Sequence, residues 1–347
     1  MSAQRPQSTS RPTLRTIAGF SGVHYSTVSR ILRGDVQRTT VETRERVLKA
    51  AEELGYRPDF AARALATGRS QTLGLLVPDM RDPVFSHLHA GVERGAHELG
   101  YRVLVYPIGN DGSRFADGIE NILQRGVDGI VDATAHFGAD ADRATRELVR
   151  NTTPYIQANR FSGELSRIAG DDVLGGRLAT EHLLSLGHRR IGFIAGERVY
   201  STTSGRLDGY REALDNAGVP YDEDLVFTRH YSLSSAASGA NRLFDLENPP
   251  TAIFVGDDSL AMAVIRAAWD RGLQTPRDLS VVGYNNVLMS GVFIPSLTTI
   301  DNPLEEIGRL AVERLLGADA YAHQVIELTL PVRLVVRESS APLRRNS

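Results

Sequence analysis

Between His24 and Arg33 the chain concentrates groups that can bond nucleic acid: His24, Tyr25, Ser26, Thr27, Ser29, Arg30 and Arg33. Arginine can fork onto a guanine edge, and hydroxyls can bond base edges or phosphates. If this stretch is helical, His24, Tyr25, Ser26, Ser29 and Arg30 supply the outward face, while Thr27, Val28, Ile31 and Leu32 turn inward or partly inward. The charge distribution suits a polyanion partner. Residues 1–70 hold 12 Lys+Arg against 6 Asp+Glu, although all 347 residues together net −3, so the rest of the chain is acidic. A solvated charged tail would give the same balance.

Other chemistries find little support. With no cysteine, disulfides, thiolate metal sites and cysteine nucleophiles are excluded together, which fits a reducing compartment. No G-x-S-x-G, H-E-x-x-H, P-loop or G-x-G-x-x-G motif occurs at a strand end. His87 and His89 are the closest pair of histidines, and an i,i+2 spacing does not share a helix face. The sequence thus predicts neither an enzyme nor a metal or cofactor. Met1–Pro12 is polar and lacks a signal-peptide core, and no run approaches the ~18 apolar residues of a membrane span. The expectation is a cytoplasmic protein with no membrane partner.

The elements that would position the polar run are short helices. Leu14, Ile17 and Ala18 share one face, Ser21-Gly22-Val23 suits a tight turn, and a second helix runs from about His24 to Leu32. Thr39 or Thr40 can cap a third helix, Thr39 with Glu42 matching a capping box, and its buried side is expected to carry Val47, Leu48, Ala51 and Leu54 up to Gly55. Two helices around a glycine-tolerant turn, the second polar on its outer face, make a helix–turn–helix; a three-helix interaction module is the alternative.

Tyr56-Arg57-Pro58 interrupts the helical pattern, and an Ala-rich segment, Asp59–Ala66, leads into a second region. From Thr72 strands and helices alternate. Strands are predicted at Leu73–Val77, Val103–Tyr106, Gly129–Asp132, Tyr155–Ala158, Ile191–Ile194, Ala252–Val255 and Ser280–Tyr284. Helices are predicted at Phe85–Leu99, Asp140–Asn151, Leu174–Leu186, Ser204–Ala217 and Leu260–Arg271. Such alternation implies parallel sheets covered by helices, and its length suggests two lobes with a ligand cleft at the strand ends.

The chain resembles the lactose/galactose repressor family. The runs Thr13-Leu14-Arg15-Thr16-Ile17-Ala18, Gly22-Val23 and Ser26-Thr27-Val28-Ser29-Arg30-Ile31-Leu32 look like that family's head, as do Thr43-Arg44-Glu45-Arg46-Val47 and Glu53-Leu54-Gly55-Tyr56-Arg57-Pro58. Gly74-Leu75-Leu76-Val77-Pro78-Asp79, Leu186-Gly187-His188-Arg189-Arg190, Ser280-Val281-Val282-Gly283-Tyr284 and Leu297-Thr298-Thr299-Ile300 continue it in order. The resemblance implies an all-α helix–turn–helix domain at 12–58 and a hinge helix and linker at 59–70. It implies an α/β effector core at 71–342, two-lobed like periplasmic binding proteins. The first lobe would span about 71–165 and 301–326, the second about 166–300 and 327–342.

By the same resemblance, Tyr25, Ser26 and Arg30 read base edges, with Thr13, His24, Thr27, Ser29 and Arg33 beside them. Ala62 and Leu65 lie on a hinge helix whose leucine wedges into the minor groove. The family usually has an acidic residue at Thr16, Ser at His24, and Asn at Arg33 and Asp59, so the operator sequence would differ. The effector set implied is Asp79, Arg81, Phe85, Asn159, Thr202, Arg206, Tyr231, Asp257 and Asn285. Arg206 would clamp the ligand and Tyr231 would pack on it; Asn285 stands where most relatives carry Asp. Read singly, Asp257 suits a helix cap, Arg206 a surface ion pair and Tyr231 a core position. The expected protein is a repressor that binds a pseudo-palindromic double-stranded operator as a homodimer, under control of a small polar effector such as a sugar or sugar derivative. A secreted binding protein would share the core but not the basic head.

Overall fold

The protein is described here by a computed structural model covering residues 12–32, 39–56, 68–109, 114–134, 148, 153–317 and 325–344. Arg33, Asp59, Ala62, Leu65 and most of the helix expected at Asp140–Asn151 lie outside the described residues. The chain forms two compact units, 1–70 and 71–347.

In the first unit, α1 (Leu14–Ser21) starts at a reciprocal cap. The Thr13 hydroxyl accepts from the Thr16 amide, and the Thr16 hydroxyl accepts from the Thr13 amide at 3.2 Å. Gly22, at φ 63°, ends α1 in the left-handed region that glycine adopts without penalty. α2 (Tyr25–Leu32) begins after His24, whose carbonyl accepts from Thr27 and Val28. α3 (Val41–Glu53) is capped by the Thr40 hydroxyl, which accepts from the Thr43 amide at 3.3 Å. The cap is therefore Thr40, and the Thr39–Glu42 box predicted from sequence is not the one used. Leu48, expected inside, is 42% exposed. The buried stripe of α3 runs through Val47, Ala50, Ala51 and Leu54, spaced i, i+3, i+4 and i+7, and Leu48 sits one position off it. Ile17, Val23, Val28 and Ile31 complete this small core.

The second unit holds two six-stranded sheets. The first contains β1 (Thr72–Val77), β2 (Arg102–Pro107), β3 (Gly129–Asp132), β4 (Tyr155–Ala158) and β5 (Arg167–Gly170). The second contains β6 (Ile191–Ala195), β7 (Val226–Thr228), β8 (Ala252–Val255), β9 (Ser280–Tyr284) and β10 (Thr298–Asp301). The chain then returns to place β11 (Glu327–Leu330) in the first sheet and β12 (Arg333–Val335) in the second. The orders are β11-β5-β4-β3-β1-β2 and β12-β10-β9-β8-β6-β7; every pairing is parallel except β10 with β12. Strands Arg167–Gly170 and Glu327–Leu330 pair with each other in the first sheet. The lobe boundaries expected at 165/166 and 326/327 are thus each a few residues early, because these strands finish the first sheet before the chain crosses.

Helices cover both sheets: α4 (Pro83–Glu98), α5 (Phe115–Gln124), α6 (Asp172–Ser185), α7 (Ser201–Asn216), α8 (Leu233–Phe244), α9 (Asp258–Asp270) and α10 (Leu304–Leu316). Two helix pairs touch backbone to backbone. A methyl at Gly91 would collide with the Glu305 carbonyl oxygen between α4 and α10, and one at Gly176 would collide with that of Arg206 between α6 and α7. The second contact brings the start of α6 against the face of α7 that carries Arg206. Among the described residues no helix is long and apolar enough to cross a membrane.

Candidate functional site

Strand order reverses between β1 and β3 in the first sheet and between β6 and β8 in the second. Polar ligands of parallel sheets bind beyond the strand carboxyl ends at such reversals. A cleft lies there, lined from the first lobe by Val84, Asn159 and Arg160. The second lobe supplies Tyr200, Thr202, Thr203, Arg206, Tyr231, Asp257 and Asn285. Six residues expected from sequence, Asn159, Thr202, Arg206, Tyr231, Asp257 and Asn285, are therefore brought together.

Three others are not part of this lining. Asp79 and Arg81 bond each other across a turn, Arg81 Nη2 donating to Asp79 Oδ2 at 2.7 Å, and the Arg81 side chain is 91% exposed. That pairing holds the Asp79 carboxyl below its ordinary value. Phe85 is buried in the first-lobe core, where its ring backs the Arg160 guanidinium at 5.2 Å. The residue of this loop that faces the cleft chemistry is Asp82, not singled out in the sequence. It caps α4, its Oδ1 accepting from the Val84 amide at 3.0 Å. Burial, then the field of Asp257, pushes Asp82 up to about 7, while the Val84 amide and Arg160 pull the other way.

The second-lobe groups largely satisfy one another. Arg206 Nε donates to Asp172 Oδ1 at 2.8 Å and Nη1 donates to the Gly256 carbonyl at 2.5 Å; the guanidinium carbon lies 3.6 Å from the Tyr284 ring centroid. Burial raises the pKa of Asp172, and Arg206 pulls it back. Asp257 Oδ1 accepts from Ser259 at 2.7 Å, capping α9, and Oδ2 accepts from Asn285 Nδ2 at 2.8 Å. The cap role read from sequence is therefore real, and the same carboxylate also faces the cleft. Asn285 Oδ1 accepts from Asn302 Nδ2 at 3.2 Å, and that amide also donates to Asn159 Oδ1 at 3.1 Å. Asn159 and Asn285 sit at φ 68° and 97°, left-handed turns that aim both side chains back across the strand ends. Asn302 thereby ties the end of β4 to the end of β9.

Arg160 differs from its neighbours. Its guanidinium lies among Phe85, Tyr200 and Tyr231, 4.8 Å from the Tyr200 centroid and 5.6 Å from that of Tyr231. It is 6% exposed, and its Nη1 has no hydrogen-bond partner among the described residues. Among the described residues no three His, Asp or Glu stand where they could hold a metal ion. The cleft offers donors, acceptors and aromatic faces, which suit binding of a polar ligand.

The polar run of the first unit is solvent-facing. Tyr25 is 48% exposed, and Ser26 is exposed. Arg30 is half-buried, its Nη2 donating to the Thr27 hydroxyl at 3.3 Å, so Thr27 steadies the arginine. The His24 ring Nδ1 lies 2.9 Å from the Ser26 hydroxyl at the start of α2. Thr13 is engaged as the α1 cap.

Residues 13–59 match the bacterial regulatory proteins of the lacI family, and residues 180–340 match the periplasmic binding protein-like domain. The chain is 34% identical over 339 residues to the HTH-type transcriptional regulator DegA of Bacillus subtilis (strain 168), covering 96% of this chain and 99% of DegA. The crystal structure of the lac repressor dimer bound to operator and the anti-inducer ONPF superposes with a TM-score of 0.85 at 28% identity, over 96% of this chain and all of that one. A complex of the transcriptional regulator CelR with cellobiose gives 0.72 at 30% identity, over 95% and 100%.

Proposed function

The chain belongs to the lacI family of bacterial regulatory proteins, and from that premise we propose that it is a cytoplasmic repressor whose grip on a pseudo-palindromic operator is set by a small polar effector, a sugar or sugar derivative, in the interlobe cleft. As a family member it is a DNA-binding transcriptional regulator and not an enzyme. One observation carries the effector reading: buried polar groups from both lobes converge at the two strand-order reversals, with Asn302 bridging them. A ligand touching both lobes favours one relative orientation of them, and its leverage equals its differential affinity for the two states, typically ~1–3 kcal/mol.

The base-reading residues are Tyr25, Ser26 and Arg30, with Ser29, His24 and Arg33 as further DNA contacts and Ala62 and Leu65 on the hinge. Thr13 and Thr27 act there as cap and support. A dimer would present two recognition helices to two half-sites. Leu288, Met289, Val292 and Ile294 form an exposed apolar strip, Ile294 being 98% exposed, which a second copy would cover. The lac repressor neighbour is a dimer on its operator, and the CelR neighbour holds cellobiose.

The test pairs a gel shift on DNA flanking the gene with a thermal-shift screen of sugars and sugar derivatives, since binding raises stability by RT ln(1 + [L]/Kd). A retarded band that one stabilising sugar alters is expected. A shift on every duplex alike, unchanged by any sugar that stabilises the core, would overturn the reading. Sedimentation at micromolar concentration should show a dimer, and Ile294→Asp should shift it toward monomer.

A further inference from the structure

Arg160 is a buried cation that the protein leaves short of one acceptor. It lines the cleft, is 6% exposed, has Nη1 without a partner and makes no ion pair among the described residues. Its surroundings are three aromatic rings, which favour a cation through their faces but accept no in-plane hydrogen bond. A buried guanidinium with an unspent donor is costly unless something else supplies the acceptor.

The other cleft groups nearby already have hydrogen-bond partners. Arg206 is matched by Asp172, both more than nine-tenths buried. Asp257 accepts from two amides at the start of α9 and from Asn285, so its oxygens are already engaged. Asn285 has its amide on Asp257 and its oxygen on Asn302, so it shapes the site and is not its free donor. The unspent buried donor of the cleft therefore sits on Arg160.

We propose that the effector is an acidic sugar, an aldonic or uronic acid, whose carboxylate is received by Arg160, with its hydroxyls toward Thr202, Thr203 and Tyr231. This rests on the reading of the cleft as the effector site. A single negative charge fits better than the near-double charge of a phosphate ester, because repulsion from Asp82 and Asp257 grows with ligand charge. Asp82, pushed up to about 7, can carry a proton and offer a hydroxyl to the same ligand.

The experiment is calorimetric titration of the full chain with matched pairs: gluconate and glucose, glucuronate and glucose, galacturonate and galactose, plus glucose 6-phosphate, ribose and cellobiose. The same series is run on Arg160→Gln and Arg160→Lys. At least one acid should bind well above its neutral partner. Arg160→Gln should weaken that acid by about 10- to 100-fold and by clearly more than it weakens any neutral sugar, as expected for loss of one charge-assisted hydrogen bond. Arg160→Lys should recover part of the loss. Binding of neutral sugars with none of the acids overturns the acid assignment and leaves the effector cleft standing. Preference for glucose 6-phosphate over every carboxylate overturns it in favour of a phosphate. If no member of either series binds, the acid assignment and the cleft reading fall together.

Discussion

The exposed face of α2 and the interlobe cleft solve the same problem, presenting polar groups to a ligand, in opposite ways. On α2 the groups stand in solvent over a small core built from Ile17, Val28, Ile31 and Val47, and the fold asks little of them. In the cleft Arg206, Asp257, Asn159 and Asn285 are buried and bonded to protein groups, so each helps hold the fold together before it meets a ligand. A polar residue on the helix face can change with specificity alone at stake; one in the cleft cannot change without disturbing the fold.

The largest effect expected from this contrast is on Arg206. Arg206→Ala leaves the Asp172 carboxylate buried without its partner, and breaking such a pair costs about 3–5 kcal/mol. Urea denaturation of the effector core should register that loss. A change under about 1 kcal/mol would place Arg206 with the surface ion pairs and erase the distinction.

Arg30 is the counterpart in the other region. Arg30→Ala removes a side chain bonded, among the described residues, only to the Thr27 hydroxyl, so the unfolding midpoint should stay put. Operator discrimination should fall by about 1–3 kcal/mol at one base pair if the contact is bidentate. Competition binding against operators varied one position at a time reads this out. A uniform loss across all positions would make Arg30 a phosphate contact.

The same contrast explains what was legible in the sequence. The polar face of α2 is local: it is read from neighbouring residues and a single period. Strands such as Ile191–Ala195 and Ala252–Val255, apolar runs buried along their whole length, were equally plain. Thr298–Asp301 was not, because Thr298 and Thr299 are buried polar positions satisfied by Ser340 and Asp258, and nothing nearby announces those partners. Arg167–Gly170 and Glu327–Leu330 are short and find each other 160 residues apart. Asp172 escaped notice because Gly176 lets α6 approach α7 closely enough to set it against Arg206, a contact made by topology. Asp82 did carry a signal, an Asp before Pro83 just past the first strand, which is a helix start at a ligand-facing strand end.

Asp82 gives the cleft a pH dependence of its own. Its value is raised from an ordinary 3.8 to about 7, by burial first and Asp257 second. The folded state therefore keeps a proton that the unfolded chain releases between about 4 and 7. The stabilisation from this group is complete below about pH 4 and lost as pH rises through 7. Asp82→Asn should match the parent below about pH 4 and exceed it increasingly from there up to about pH 7, as the parent ionises a buried carboxyl beside Asp257. Taking the difference between variant and parent cancels the opposing contribution of His182 and His188, whose values burial lowers. A difference that does not vary with pH would mean that Asp82 stays ionised throughout.

The smallest effect separates two roles that coincide at Thr13, an α1 cap that the family resemblance also places at the DNA. Thr13→Ala removes the side chain that accepts from the Thr16 amide and should cost about 1 kcal/mol of helix stability. Its effect on operator affinity alone would be ambiguous, since a frayed α1 also loosens the support for α2 through Ile17 and Val28. Thr13→Asp resolves the ambiguity, because aspartate caps a helix as well as threonine does but places a negative charge beside any phosphate. If Thr13 only caps, the aspartate variant should melt with the parent and bind operator with the parent's affinity and salt dependence. If Thr13 touches the backbone of the duplex, the same variant should keep its melting point and lose affinity most at low salt, where the added repulsion is least screened. Circular dichroism melts with binding curves at two salt concentrations distinguish these outcomes, and the second would move Thr13 from the scaffold to the DNA-reading surface.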